Sequence, residues 1–223
     1  MDLNLKDKVI IVTGGSKGIG WGIVQSLVGE GAIPFIIGRN EQDVIKAVKS
    51  CHDMGVQAGY ALAELTDPDQ CKKAVEQLVY AYGKIDGLIN NAGVNDGISL
   101  ENGNYSDFLR SIERNVGHYY QMAHLALPYL KISKGAIVNI GSKVSLTGQG
   151  NTSGYAAACG GRNALTREWA VELLPYGIRV NAVLVAECYT PLYDRWIQTF
   201  DKPQEKLATI NSRIPLENRM TTA

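Results

Sequence analysis

The residues best suited to chemistry lie between Ala136 and Arg162, in AIVNIGSKVSLTGQGNTSGYAAACGGR. Ala136 to Ile140 reads as a buried strand, an apolar run bounded by Gly135 and Gly141. A polar, glycine-rich loop follows, and a helix begins near Tyr155. Ser142 therefore stands at a strand tip and Tyr155 on the first turn of a helix. In an open parallel sheet ligands bind at that end, so both hydroxyls can meet one substrate oxygen. Ser142 would orient it and Tyr155 would take its proton. Cys159 follows Tyr155 by four residues, one turn on and on the same face. That face is taken as the exposed, ligand-facing side of the helix.

A second chemically meaningful stretch opens the chain. Lys8 to Thr13 reads as a fully buried strand, and it runs into Gly14-Gly15-Ser16-Lys17-Gly18-Ile19-Gly20 and a helix through Val28. Glycines here let a pyrophosphate approach the backbone, and the helix N-terminus offers free N–H groups and positive dipole. A tight strand-to-helix turn without ligand is the plainer alternative. The next strand, Ala32 to Ile37, ends in Gly38-Arg39-Asn40. An acid at this tip would hold a ribose 2′-hydroxyl, whereas arginine accommodates a 2′-phosphate. Arg39 and Lys17 facing one phosphate favour NADP(H). As two solvated cations they would leave NAD(H) open.

The elements that must position these residues alternate along the chain. A helix from about Glu41 to Met54 precedes a third strand near Gln57 to Leu62. Asp67-Pro68 starts a helix that runs to about Tyr82. Ile85 to Ile89 is the fourth strand, ending in Asn90-Asn91-Ala92-Gly93. A long helix from about Tyr105 to Leu130 carries Asn115, a poor mid-helix residue that invites a reason. His118 and His124 lie on the same helix and read as structural or substrate-rim residues. The Tyr155 helix continues to about Leu174, Ile178 to Val185 is the sixth strand, and two short helical patterns follow to about Ser212. The predicted fold is α/β, a three-layer Rossmann-type doubly wound parallel sheet, in one domain over residues 1–223.

Composition narrows the partners. Twenty-two basic and 22 acidic side chains balance, so nothing points to nucleic acid or a membrane surface. No signal peptide or bilayer-length apolar stretch is visible. Cys51, Cys71, Cys159 and Cys188 show no paired spacing, which fits free thiols in a cytoplasmic protein rather than a disulfide or metal framework.

Thr13 to Gly20 in T-G-x-x-x-G-x-G spacing, Asn90 to Gly93, Asn115, Ser142 and Tyr155 together resemble the short-chain dehydrogenase/reductase family. Within it the chain is most similar to L-fucose dehydrogenases. That similarity rests on Met1 to Leu5, Asn90 to Gly97, His118 to Tyr120, Thr147 to Tyr155, Leu165 to Val171, Ala186-Glu187 and Thr190 to Tyr193.

The resemblance implies that Gly14, Ser16, Lys17, Gly18, Ile19 and Gly20 cradle the cofactor. Glu64 and the Leu65 N–H would meet the adenine, and Asn91, Ala92 and Gly93 would line the groove. Thr190 would bond the nicotinamide carboxamide. Asn115 would interrupt its helix and order a proton-relay water. Asn95, Gln149, Asn151 and Glu187, all on loops at strand ends, would read sugar hydroxyls, unless they are merely solvated. The implied reaction oxidises a sugar's anomeric hydroxyl to a lactone, with hydride passing to the nicotinamide. A homo-oligomer, dimer or tetramer, is implied as well.

The chain departs from the family at Cys159, which stands where the catalytic lysine belongs. A free phenol has a pKa of about 10, and a cation is needed to form phenolate at neutral pH. A thiol supplies none. Lys143 belongs to the L-fucose dehydrogenase pattern and is no replacement, and Arg162, one turn beyond Cys159, is not relied on. Impaired turnover is therefore expected, to be raised by a lysine at 159. The alternative is a non-catalytic dinucleotide-binding protein, against which the retention of Ser142, Tyr155 and Asn115 weighs. Smaller departures are Glu64 for the usual Asp and Val185-Ala186 for Pro-Gly. The chain also stops before the family's last helix and seventh strand, so a truncated record or a longer chain is expected.

Overall fold

Six apolar runs become the strands of one parallel sheet: β1 (Val9–Thr13), β2 (Ile33–Gly38), β3 (Gly59–Leu62), β4 (Gly87–Asn90), β5 (Ala136–Ser142) and β6 (Arg179–Val185). The computed structural model describes residues 2–215 and 220–222. Met1 and Ala223, cited above for the resemblance and the chain's end, lie outside the described residues. The strand order is β3-β2-β1-β4-β5-β6, with every pair parallel. Reversal between β1 and β4 puts the switch point of the sheet beside the glycine loop, where such sheets take ligands.

Helices cover both faces. α1 (Gly18–Gly29) and α2 (Glu41–Asp53) pack Val24, Leu27, Val44 and Val48 on Ile10, Val12 and Ile36. On the other face lie α3 (Pro68–Tyr82), α5 (His118–Ser133) and α6 (Ser153–Glu172), over Val9, Ile11, Phe35, Leu88, Ile137 and Val180. Strand residues alternate between these two cores, as the period of two requires. Local signals set the helix starts. Asn40 accepts from the Asp43 N–H at 2.9 Å, and Asp67 caps α3 ahead of Pro68.

The expected long helix from Tyr105 is three pieces. α4 (Tyr105–Ile112) passes into a π turn, Glu113–Gly117, before α5 begins. Past β6, the short pair β7 (Cys188–Tyr189) and β8 (Thr221–Thr222) brackets α7 (Pro191–Ile197) and α8 (Pro203–Asn211). Among the described residues β6 is a sheet edge, with Val183 52% exposed. A hollow of about 530 Å³ lies near the opposite end of the sheet, among Ile10, Leu27, Ile89 and Val138. No described helix is long and apolar enough to cross a membrane.

Candidate active site

Gly20 shows why the first turn needs glycine. A Cβ there would stand 2.2 Å from the Gly14 carbonyl oxygen and 2.6 Å from Asn91 Nδ2. That close packing draws the glycine loop against the tip of β4. Thr13, fully buried, accepts from the N–H groups of Asn91 and Ala92 at 2.9 and 3.1 Å, and the Asn91 amide donates to Thr13 O at 2.9 Å. Two strand tips are thereby stapled together. Thr13 was visible only as part of a glycine motif, and its role as the staple needed the register of β1 and β4 to appear.

The start of α1 is built for an anion. Lys17 supplies no side-chain cap, and no acid stands in the first turn of this 12-residue helix. The uncapped N–H groups and the dipole suit a pyrophosphate. Gly18 lies against Thr190, whose Cβ would be 3.3 Å from a Cβ on that glycine. Thr190 caps α7 by accepting from the Tyr193 N–H at 3.1 Å, which leaves its hydroxyl hydrogen free to donate. Ser16 Oγ sits 3.9 Å from the position of a Cβ on Gly38, so the loop also meets the β2 tip.

The two cations expected to share a phosphate each hold an acid. Arg39 Nη1 pairs with Glu64 Oε2 at 2.9 Å, and Lys17 Nζ with Asp43 Oδ2 at 2.5 Å. Arg39 and burial pull the Glu64 carboxyl in opposite directions, and the net result lies below the usual carboxylate range. Glu64 thus faces the β2 tip, with Leu65 buried beside it.

At the β5 end the expected centre assembles. Tyr155, on the first turn of α6, has Cys159 and Ser142 as its hydrogen-bonding neighbours. Burial and Cys159 raise its pKa above the ordinary 10, against the opposing pulls of Arg162 and Ser142. Cys159 is fully buried, which corrects its placement on an exposed, ligand-facing side. The α6 face that carries 155, 159 and 162 turns inward over β5 and the π turn, and only Tyr155 at its start reaches the strand tips.

Arg162 is the residue that sequence reasoning undervalued. Its side chain is buried; Nε donates to Asn115 O at 2.5 Å, Nη1 to Ile140 O at 3.1 Å and Nη2 to Asn115 Oδ1 at 3.3 Å. The guanidinium lies 4.4 Å from the Tyr119 ring centroid and 5.7 Å from that of Tyr155. Asn115 is correspondingly engaged. Its Oδ1 also accepts from the Val94 N–H at 2.8 Å, and its amide donates to Ser111 O at 3.0 Å. The carbonyl expected to order a water accepts Arg162 instead. Gly93 makes room for this, since a Cβ there would be 2.8 Å from Arg162 Nη2. The signal was a lone charge in AAACGGRNAL, seven after Tyr155 on the same face.

The expected sugar-reading residues do not converge. Glu187 pairs with Lys143, next to Ser142, and accepts from Tyr193 Oη at 3.1 Å. This polar cluster borders the centre. Asn95 is exposed and accepts from the Gly97 N–H at 3.3 Å, while Gln149 and Asn151 stand exposed on the loop before α6. Among the described residues no His, Cys, Asp or Glu cluster is arranged for a metal.

This arrangement can hold a dinucleotide across the β1–β4 switch and abstract a proton from a hydroxyl at the β5 tip. The short chain dehydrogenase family model matches residues 8–199, and the chain belongs to that family. It is 32% identical over 215 residues to the 3-oxoacyl-[acyl-carrier-protein] reductase FabG of Thermotoga maritima, covering 96% of this chain and 85% of that one. It is 33% identical over 188 residues to the L-fucose dehydrogenase of Bos taurus, covering 84% and 68%. The crystal structure of Cj0485 dehydrogenase superposes with a TM-score of 0.93 at 41% identity, covering 100% and 85%. The chain is an oxidoreductase of CH–OH groups, with sugar dehydrogenases among its relatives. NADPH is bound in two of its structural neighbours, and its cofactor is a nicotinamide dinucleotide.

Proposed function

We propose that this chain oxidises the anomeric hydroxyl of an L-fucose-like aldose to a lactone with NADP+. The meeting of Ser142 and Tyr155 at the β5 tip, beside the uncapped start of α1, carries this reading. Gly14, Ser16, Gly18, Ile19 and Gly20 would hold the pyrophosphate, and Asn91, Ala92 and Gly93 the groove wall. Arg39 and Lys17 would turn from Glu64 and Asp43 to a 2′-phosphate, and Thr190 would donate to the carboxamide. Bound there, the nicotinamide supplies a hydride acceptor. Ser142 donates to the substrate oxygen and orients it, and Tyr155 takes the hydroxyl proton. Glu187, held by Lys143 and Tyr193, is the acceptor best placed for a neighbouring sugar hydroxyl. Similarity to L-fucose dehydrogenase supports the sugar, and balanced charge suits a neutral substrate.

Turnover should be slow at neutral pH. With a pKa above 10, fewer than about one Tyr155 in a thousand is phenolate at pH 7. The rate should therefore climb about tenfold per pH unit from 7 to 9. The test is reduced-nicotinamide absorbance with NADP+ and L-fucose, with D-arabinose and L-galactose alongside. Tyr155→Phe should abolish the signal while leaving cofactor binding intact. Tight NADP+ binding with no oxidation of any aldose at pH 9 would move the reading to a non-catalytic dinucleotide-binding protein.

A further inference from the structure

Arg162 raises a question that the proton transfer above does not answer. A guanidinium stays charged at any pH a protein survives. Burying it costs several kcal/mol unless an opposite charge or full hydrogen bonding compensates. Arg162 is 3% exposed, yet takes part in none of the described ion pairs. Its partners are two backbone carbonyls and one amide oxygen. They fix its position but leave its charge uncompensated.

Three neighbours can become anions. Tyr119 is fully buried and spends its hydroxyl hydrogen on Ile140 O at 2.9 Å, and burial holds its pKa far up. Cys159 is fully buried between Tyr155 and Arg162, and burial raises its pKa as well. Tyr155 alone reaches the ligand end of the sheet, with Ser142 at its hydroxyl. Further out, Lys143 is engaged with Glu187, and His118 is kept neutral by burial and by Arg162 itself. No described carboxylate competes for the guanidinium.

We propose that Arg162 is the built-in counterion of a Tyr155 phenolate: a positioning residue whose buried charge, pinned by Asn115 and Ile140, is set in place for the moment Tyr155 holds no proton. This deepens the dehydrogenase reading and rests on it for the role of Tyr155. It also explains the π turn. That turn carries Asn115, whose O and Oδ1 both accept from Arg162, so the interruption of the helix becomes the guanidinium's seat. Compensation is incomplete, since burial and Cys159 still outweigh Arg162 at the phenol.

The size of the effect follows from distance. A unit charge about 6 Å away at an effective dielectric near 20 is worth about two pH units. Removing Arg162 should raise the Tyr155 pKa by about one to two units. The primary measurement needs no substrate: tyrosinate absorbance from pH 8 to 11.5, as the difference between each protein and its Tyr155→Phe partner. In the Arg162→Met protein the Tyr155 signal should move up by at least one unit or leave the range. Arg162→Lys, which keeps the charge, should retain most of it.

Arg162→Met leaves Asn115 O and Ile140 O without a donor and can lose its fold. The transposed double variant Cys159→Lys/Arg162→Val guards against that, moving the cation next to Tyr155. It should bring the Tyr155 signal below that of the unmutated protein. Circular dichroism and NADP+ binding check folding in each case. A Tyr155 titration unchanged in folded Arg162→Met, or unmoved in the double variant, would overturn the proposal. Failure to oxidise any sugar would instead count against the proposed function, because the titration reads the counterion without turnover.

Discussion

His118 occupies a place where two cations would have to share one buried space. Its ring is 4.9 Å from that of Tyr119, Nε2 donates to Arg114 O at 3.0 Å, and Nδ1 has no partner among the described residues. Burial first, and then the charge of Arg162, push its pKa down to about 4. In the unfolded chain it titrates near 6.5. A base depressed in the folded state takes its proton more readily when unfolded. Its stabilising contribution is therefore complete above pH 6.5 and is lost as pH falls from there to 4. The full difference corresponds to about 3 kcal/mol. Urea denaturation should show the unmutated protein weakening across this window. His118→Gln, which cannot ionise, should flatten that part of the profile. A stability difference between the two that does not change from pH 7 to 4 would refute this account.

At the scale of elements, the tips of β2 and β3 decide cofactor choice. Arg39 and Glu64 are 25 positions apart, and parallel pairing of Gly38 with Leu62 brings them together. The pair is largely exposed, 76% and 40% at the side chains, so it holds Arg39 weakly. A 2′-phosphate can outbid it, since a charge-assisted bond to phosphate contributes about 1.5–3 kcal/mol. NADP+ should then bind at least about tenfold more tightly than NAD+, measured by calorimetry. Arg39→Ala should erase most of that gap, while Glu64→Gln should widen it. Equal dissociation constants for the two cofactors in the unmutated protein would sink the NADP+ assignment. This contact also shows the limit of what sequence reveals. Strand tips were legible because apolar runs end at Gly14, Gly38, Asn90 and Gly141, and Asn115 was legible as a helix interruption. Which cation meets which acid was not, because side chains far apart in sequence meet only through register. The inward turn of Cys159 and Arg162 was hidden for a similar reason: spacing puts them on one face, but packing decides where that face looks. β7 and β8 are two residues each, too short to show alternation.

For the whole molecule, the order of strands brings the anion site, the phenol and the buried cation to one end of a single sheet. The glycine loop follows β1, the Asn90–Gly93 wall follows β4, and Ser142 ends β5. A dinucleotide bound there spans three neighbouring strands and touches both cores through α1 and the β4 tip. Its binding should therefore stabilise the fold as a unit, whether or not chemistry follows. A ligand specific to the folded state at one hundred times its dissociation constant contributes about 2.7 kcal/mol. For a chain of this size each kcal/mol raises Tm by about 2–4 °C, so NADP+ should raise it by roughly 5–11 °C. Tyr155→Phe should show the same rise, because the phenol acts on substrate and does not anchor the pyrophosphate. Gly18→Asp should lose it, since a carboxylate at the start of α1 repels the phosphates and a side chain at φ +53 strains the turn. An unmutated protein whose Tm does not move with NADP+ or NAD+ up to millimolar concentration would show that the groove does not take a dinucleotide. The same shift in Gly18→Asp would place the cofactor elsewhere than the first turn of α1.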